Sequence, residues 1–266
     1  MHDNVKIYSN VTKFMKITLL GTGDSTGTPI IGCHCKTCED ARKRGWERKR
    51  FSVMIQNEDR TLLIDTSPDM RRQLLDCNVD RVDAVIWTHC HFDHFGGFGN
   101  FYRVQSNVKV YTTPKIHDDI GRFIGFMEYK PVEVDCYETF ELIGLKLTLF
   151  EVNHPPVDAV GVKVEWNGYR VVISGDTNAN IPKESLKEIE EPDLFIVEAL
   201  APRGKFKKHM NAEEALSLAK KIGARRTILT HVGHFFPPHD VAVKYYPIGY
   251  DYQRFEFKDL KLTRFF

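Results

Sequence analysis

Short apolar runs alternate with polar punctuation along almost the whole chain. Runs at 16–20, 52–56, 61–65, 84–87, 108–111, 147–153, 160–166, 171–175, 194–197 and 227–230 are rich in Val, Ile, Leu and Phe. Their length and their bounding Gly, Asn and Asp predict β-strands. Asn167-Gly168 between two of them is a hairpin signal, because both positions tolerate positive φ. Helical periodicity is scarcer. Asn211 with Glu214 three residues later reads as a capping box. Ala215, Leu218, Ala219 and Ile222 then share one face, and Gly223 stops the helix. Shorter helices are expected at 68–76 and 185–190. No repeat, low-complexity tract or linker interrupts the pattern. One domain over 15–266 is therefore expected, after a polar N-terminal extension at 1–14.

Several strands end in the same way. Val85-Ile86-Trp87-Thr88 precedes His89, and 147–153 precedes His154. Val171-Val172-Ile173-Ser174-Gly175 precedes Asp176, and Thr227-Ile228-Leu229-Thr230 precedes His231. In layered α/β architectures, strand ends deliver such side chains to one edge. The first instance opens the densest cluster in the chain, His89-Cys90-His91-Phe92-Asp93-His94. So many imidazoles and carboxylates are hard to bury unless something neutralises them, and a metal does. His89, His91 and His154 can surround one ion, and Asp93, His94 and His231 a second. Asp176 can bridge the two through its pair of oxygens. Mixed nitrogen and oxygen donors suit Zn²⁺, Mn²⁺ or Fe²⁺. Two such ions about 3.5–4 Å apart activate water near neutral pH and stabilise anionic oxygens.

Composition changes this picture mainly through cysteine. Cys33, Cys35 and Cys38 are clustered in Gly32-Cys33-His34-Cys35-Lys36-Thr37-Cys38, whereas Cys77, Cys90 and Cys136 are scattered. A reduced metal-binding cluster fits this better than a disulfide set. Three thiolates fall one short of a closed zinc site. His234, three residues beyond His231, is the expected fourth ligand; His34 would have to fold back on its own loop. Gly21-Thr22-Gly23-Asp24-Ser25-Thr26-Gly27 misses the dinucleotide spacing and reads as a backbone turn beside the site. No nucleotide cofactor is expected. The net charge of +1 leaves no global footprint for nucleic acid. No apolar run reaches the roughly 20 residues that span a bilayer. The polar start lacks a signal-peptide core. These features predict a cytoplasmic protein with no membrane partner.

His-x-His-x-Asp-His, the later His154, Ser174-Gly175-Asp176-Thr177 and Thr230-His231 resemble the metallo-β-lactamase superfamily over about residues 15–255. The resemblance implies an α/β, single-domain αββα sandwich with a dinuclear site along one edge. Leu20-Gly21-Thr22-Gly23, the cysteine cluster at 32–38, Lys208-His209-x-Asn211 and Leu229-Thr230-His231-x₂-His234 narrow it. They are similar to the family of phosphoribosyl 1,2-cyclic phosphate phosphodiesterases of carbon–phosphorus lyase pathways. That likeness implies a structural Zn²⁺ on Cys33, Cys35, Cys38 and His234, and a His209 that contacts substrate phosphate. It is compatible with a homodimer. The stretch 65–69 and the end from Tyr245 depart from that family, with Tyr250-Asp251-Tyr252 standing where glycine is common.

The expected activity is metal-dependent hydrolysis of a small phosphodiester, such as 5-phosphoribosyl 1,2-cyclic phosphate. Asp93 would orient the attacking water or accept its proton, and His209 would donate to the leaving oxygen. His209 also lies just before a helix N-terminus, where anions bind, among Arg203, Lys205, Lys207 and Lys208. Other readings are a tRNA 3′-processing endoribonuclease, a thioesterase and a metal-dependent binding or carrier protein without turnover. For the endoribonuclease, Arg42, Lys43, Arg44, Arg48, Lys49 and Arg50 could follow a phosphate backbone. The aromatic tail from Tyr245 is expected to pack on the core.

Overall fold

The computed structural model describes residues 14–258; nearly all of the expected N-terminal extension lies outside them. Elements follow in the order β1 (Phe14–Gly21), α1 (Lys36–Arg44), β2 (Ser52–Asn57), β3 (Arg60–Ile64), α2 (Met70–Asp76), β4 (Ala84–Ile86), α3 (Phe92–Phe95), β5 (Lys109–Thr112), α4 (Pro114–Ile124), β6 (Lys130–Glu133) and β7 (Thr139–Leu142). Then come β8 (Leu145–Val152), β9 (Ala159–Trp166), β10 (Tyr169–Ile173), α5 (Lys183–Glu188), β11 (Leu194–Glu198), α6 (Ala212–Lys221), β12 (Thr227–Thr230), α7 (His239–Ala242) and β13 (Arg254–Lys258).

The strands build two sheets, one seven-stranded in the order β13-β1-β2-β3-β4-β5-β6 and one six-stranded in the order β12-β11-β10-β9-β8-β7. Period-two alternation explains how they stack. In β10, Val171 and Ile173 enter the core that includes Ile17, Ile55 and Ile64 of the first sheet, while Val172 faces the other way. In β11, Leu194 and Ile196 do the same, and Phe195 and Val197 face out. That outer face is covered by Ala212, Ala215, Leu218 and Ala219 of α6, the last three of which belong, with Ile222, to the stripe legible in the sequence. On the first sheet, Met70 of α2 and Ile116, Ile120 and Ile124 of α4 join the core. The result is the expected αββα sandwich. Central strands buried on both faces need continuous apolar runs, which is how β4 and β11 read.

The pairing fixes the site. β3 to β6 run parallel to one another, as do β10, β11 and β12. The loops after β3, β4, β10, β11 and β12, with the one after β8, hold the metal-capable side chains of the central cluster. The Asn211 side chain accepts from Glu214 N at 2.9 Å, and Glu214 returns the bond to Asn211 N at 3.0 Å, so α6 starts where expected. The turn at 21–27 also lies where expected. Gly23 bridges Arg50 and Val232, next to His231.

Four elements, α1, β6, β7 and β13, carry no strong signal of their own, whereas α4 carries Pro114 in its first turn and an Ile116, Ile120, Ile124 stripe, a helix signal absent from the expectations above. α1 is almost wholly polar, with only Thr37, Cys38 and Ala41 buried. Its start is set by the Cys35 thiol, which accepts from Cys38 N at 3.5 Å, and its end by Gly45 at φ 70°. β13 pairs antiparallel with β1 and buries Phe255, so much of the aromatic tail packs on the core, though Tyr245 and Tyr250 stay exposed.

Candidate metal centre

His89, His91 and His154 converge. His91 Nδ1 lies 3.0 Å from His89 Nε2 and 2.9 Å from His154 Nε2. His91 occupies the N-cap position of α3, a single turn whose Asp93, His94 and Phe95 are buried. His154 Nδ1 donates to the Lys208 carbonyl at 2.9 Å, which leaves its Nε2 as a bare lone pair facing the cluster. Burial pushes His154 down to about 4 and holds His89 well below the usual histidine range. Neutral imidazoles that turn their lone pairs inward suit a cation, and the three ligand atoms are close enough together to hold one.

Asp93, His94, Asp176 and His231 form a second group whose ligand atoms lie within 4.8 Å of one another. Asp176 Oδ2 joins the two groups. It is 3.8 Å from His89 Nε2, 4.0 Å from His154 Nε2, 3.4 Å from His94 Nε2 and 3.2 Å from His231 Nε2. These approaches all use one oxygen, whereas the sequence suggested a bridge through both; Oδ1 is buried without a partner. His94 Nε2 is likewise buried without a hydrogen bond, although Asp93 Oδ2 is only 3.1 Å away. Burial opposes charge on Asp176, but His231 and His94 outweigh it and hold the carboxyl well below its usual range. Burial also opposes charge on His231, yet Asp176 and Asp93 raise it to about 9. A divalent cation would neutralise the same buried carboxylates. The orphaned buried atoms and the donor set both fit a metal.

Two buried carboxylates escaped the sequence reading. Asp65 follows β3 and accepts from His94 Nδ1 at 2.6 Å, Thr88 N at 2.8 Å and Thr88 Oγ1 at 2.8 Å. It thereby turns His94 Nε2 towards the centre. Glu198, the last residue of β11, accepts from Thr177 N at 2.9 Å and lies 3.2 Å from His209 Nδ1. Burial opposes charge on His209, but Glu198 outweighs it and raises its pKa. Leu62-Leu63-Ile64-Asp65 and Phe195-Ile196-Val197-Glu198 repeat the run-then-ligand pattern. That signal could have found both.

His209 stands beside the cluster, 3.9 Å from Asp176 Oδ2, with its ring 4.9 Å from His154 and 5.3 Å from His231. The helix-terminus argument for it does not hold. The first turn of α6 is already capped by Asn211, and His209 is oriented by Glu198. Its side chain remains partly open, at 19% exposure, while those of Asp176 and His231 are 3% exposed.

The cysteine cluster forms a separate site. His234 Nδ1 is 3.3 Å from Cys33 Sγ, 3.6 Å from Cys35 Sγ and 3.7 Å from Cys38 Sγ. His34 turns away to Glu39 at 2.8 Å. Burial raises the Cys35 thiol, but the Cys38 amide and the neighbouring thiols bring it down to about 7. Burial pushes Cys38 up to about 11. Such a set needs a cation to become three thiolates. Cys77, Cys90 and Cys136 are half-buried against the main core.

The basic run at 42–50 is largely engaged within the fold. Arg42 Nη1 and Nη2 donate to the carbonyls of Cys33 and Ile30, and Arg44 pairs with Asp240 at 2.9 Å. Arg48 is buried and donates to Thr22 Oγ1 and the Gly249 carbonyl, both at 2.8 Å. Lys49 pairs with Glu47, and Arg50 with Asp69 at 3.2 Å. Among the described residues, no helix is long and apolar enough to cross a membrane.

A crystal structure described as a new diphosphatase of the PhnP family is 27% identical, with a TM-score of 0.82 over 91% of this chain and 98% of that one. An octanoyltransferase of Porphyromonas gingivalis is 27% identical over 253 residues, or 89% of this chain. A ribonuclease Z of Mycobacterium marinum is 23% identical over 259 residues, covering 82% of this chain and 86% of that one. The chain spans only 50% of the octanoyltransferase and 55% of a further curated relative, a metal-dependent hydrolase of Saccharolobus solfataricus. The model of the beta-lactamase superfamily domain matches residues 60–232, which encloses His89 through His231. Its span and the two-sheet architecture show that the chain belongs to the beta-lactamase superfamily and has the metallo-β-lactamase fold.

Proposed function

We propose that the chain hydrolyses small phosphodiesters with two divalent cations. His89, His91 and His154 would hold one ion, Asp93, His94 and His231 the other, and Asp176 both. Cys33, Cys35, Cys38 and His234 would hold a structural Zn²⁺. The observation that carries the reading is the His209–Glu198 pair, 3.2 Å apart, set beside the Asp176 hub on its more open side. A carrier has no need of an imidazole so oriented at the edge of its ligand site. Likeness to a PhnP-family diphosphatase supports phosphorus chemistry.

When bound, the ions supply Lewis acidity, activating water and neutralising charge on phosphate oxygens. The protein's own groups do the rest. Asp93 orients the attacking water and accepts its proton. His209, held by Glu198, donates a proton to the oxygen that leaves as the P–O bond breaks. Asp65 and the Lys208 carbonyl fix the rings of His94 and His154. The thiolate-rich Zn²⁺ centre suits a reducing, cytoplasmic setting. The basic run gives the endoribonuclease reading little support, because it is largely engaged within the fold.

The test is hydrolysis by Mn²⁺- or Zn²⁺-loaded protein of 5-phosphoribosyl 1,2-cyclic phosphate, 2′,3′-cyclic nucleotides and a short tRNA precursor. Opening of a small cyclic diester with little cleavage of the precursor is expected. Precursor cleavage alone would favour the endoribonuclease, and silence on all three would sink the phosphodiesterase.

A further inference from the structure

Two loops frame the open side of the site. One leaves β11 at Glu198 and runs to His209; the other leaves β12 at His231 and runs to Phe236. Their bases are tied together, since Gly233 N donates to the Leu200 carbonyl at 3.0 Å and Leu200 N to the Met210 carbonyl at 2.9 Å. Each carries one side chain of the candidate site and one phenylalanine. At the site, His209 and His231 stack with centroids 5.3 Å apart and planes at 16°. Further along the same two loops, Phe206 and Phe235 meet at 6.5 Å and 39°.

Phe235 is 57% exposed, beside a buried Phe236. Burial therefore does not account for its ring. It has defined neighbours all the same. The ring packs on His234 at 4.5 Å, and His234 is held among the three cysteines. The Phe236 carbonyl accepts from Thr37 Oγ1 of the cysteine helix at 2.5 Å. Phe206 is flanked by Lys205, Lys207 and Lys208, which form no ion pair among the described residues. A pair of aromatic rings with three lysines as chain neighbours, on the loops that carry His209 and His231, matches the two halves of a nucleotide. A planar base stacks on the rings, and its phosphate meets the positive charge.

We propose that Phe206 and Phe235 form a base-stacking platform, and that the preferred substrates are phosphoesters carrying a nucleobase. This rests on the phosphodiesterase reading and sharpens it, placing base-bearing diesters ahead of a bare ribosyl ring. The Cys/His centre then positions specificity as well as stabilising a loop, because it holds Phe235 through His234.

The experiment compares kcat/KM for adenosine 2′,3′-cyclic phosphate and for the base-less ribose 2,3-cyclic phosphate, which share one reacting group. Wild type should favour the nucleotide. Phe206→Ala and Phe235→Ala should shrink that preference by about five- to a hundredfold, as removal of an aromatic platform under a base does. Phe235→Trp should restore it. An unchanged preference, or an equal loss on both substrates, overturns the platform. A second readout needs no turnover. The added indole of Phe235→Trp should be quenched by AMP and not by ribose 5-phosphate, relative to wild type. Absence of base-dependent quenching also overturns the platform. Quenching without hydrolysis of either ester would leave the platform standing and remove the phosphodiesterase reading instead.

Discussion

Asp65→Asn tests the proposed second ion through a residue that touches it only by way of His94. The substitution keeps shape and removes charge. Asp65 sits at φ 63°, a left-handed conformation that asparagine tolerates well, so the backbone need not respond. The hydrogen bonds cannot survive intact. Asp65 Oδ2 accepts from His94 Nδ1 and Thr88 Oγ1, and Oδ1 accepts from Thr88 N. An amide offers one oxygen and one NH₂ group. Either orientation aims NH₂ at an N–H donor, Thr88 N in one case and His94 Nδ1 in the other. The second orientation unfixes the His94 tautomer. Loss of such an outer partner costs about 10- to 100-fold in metal affinity, or about 1.4–2.8 kcal/mol. Chelator competition on metal-free protein reloaded with Zn²⁺ reads the affinity of the weaker ion, and circular dichroism checks the fold. Affinity unchanged in a folded variant would refute the claim that Asp65 orients a ligand.

Four further outcomes are expected. His209→Ala should keep both ions yet lower kcat by about 10²–10⁴-fold, the usual range for a lost general acid; loss of metal from this variant would merge its role with that of the ligands. Cys38→Ser should remove one zinc per chain by elemental analysis and lower the thermal midpoint; full zinc retention would contradict the four-ligand assignment. Gly97→Ala would place a Cβ 1.8 Å from the Ser67 carbonyl oxygen, so urea denaturation should show a loss of about 1–3 kcal/mol or more. Asn211→Ala removes the α6 cap and a bond from Asn211 Nδ2 to the Gly204 carbonyl at 2.7 Å, and should cost about 1 kcal/mol in the same assay.

Much of the site was legible because strand ends impose order on a sequence. A buried strand needs an unbroken apolar run, and where the run stops the next polar side chain stands at the sheet edge. His89, His154, Asp176 and His231 all follow such runs, and the structure gathers them. Asp65 and Glu198 obey the same rule but were passed over, since a single carboxylate after a strand also begins ordinary turns. Only the parallel register that sets β3 beside β4, and β11 beside β12, shows what they face. His209 stands out in the sequence for its place before a helix start, while its orientation comes from Glu198 at the other end of the same loop. α1 was hidden for a different reason. Its charged sequence has no apolar stripe, and its first turn is set by a thiol of the cysteine cluster, so its local signal belongs to the cluster and not to a core.

One short segment after β12 ties these observations together. His231 faces Asp176, His234 faces the three cysteines, and Phe235 faces outward, all within five residues. Gly233 is the joint between them. A Cβ there would lie 2.7 Å from the Leu200 carbonyl and 2.9 Å from Asp24 Oδ2, so a side chain would push apart the loops that meet at this point. The two proposed metal sites are therefore not independent modules. Strain introduced at the cysteine cluster should reach His231 through the three peptide units between His231 and His234. A zinc-site lesion should accordingly weaken the second active-site ion as well as the loop. An isolated structural zinc site at the surface would show the loop effect alone.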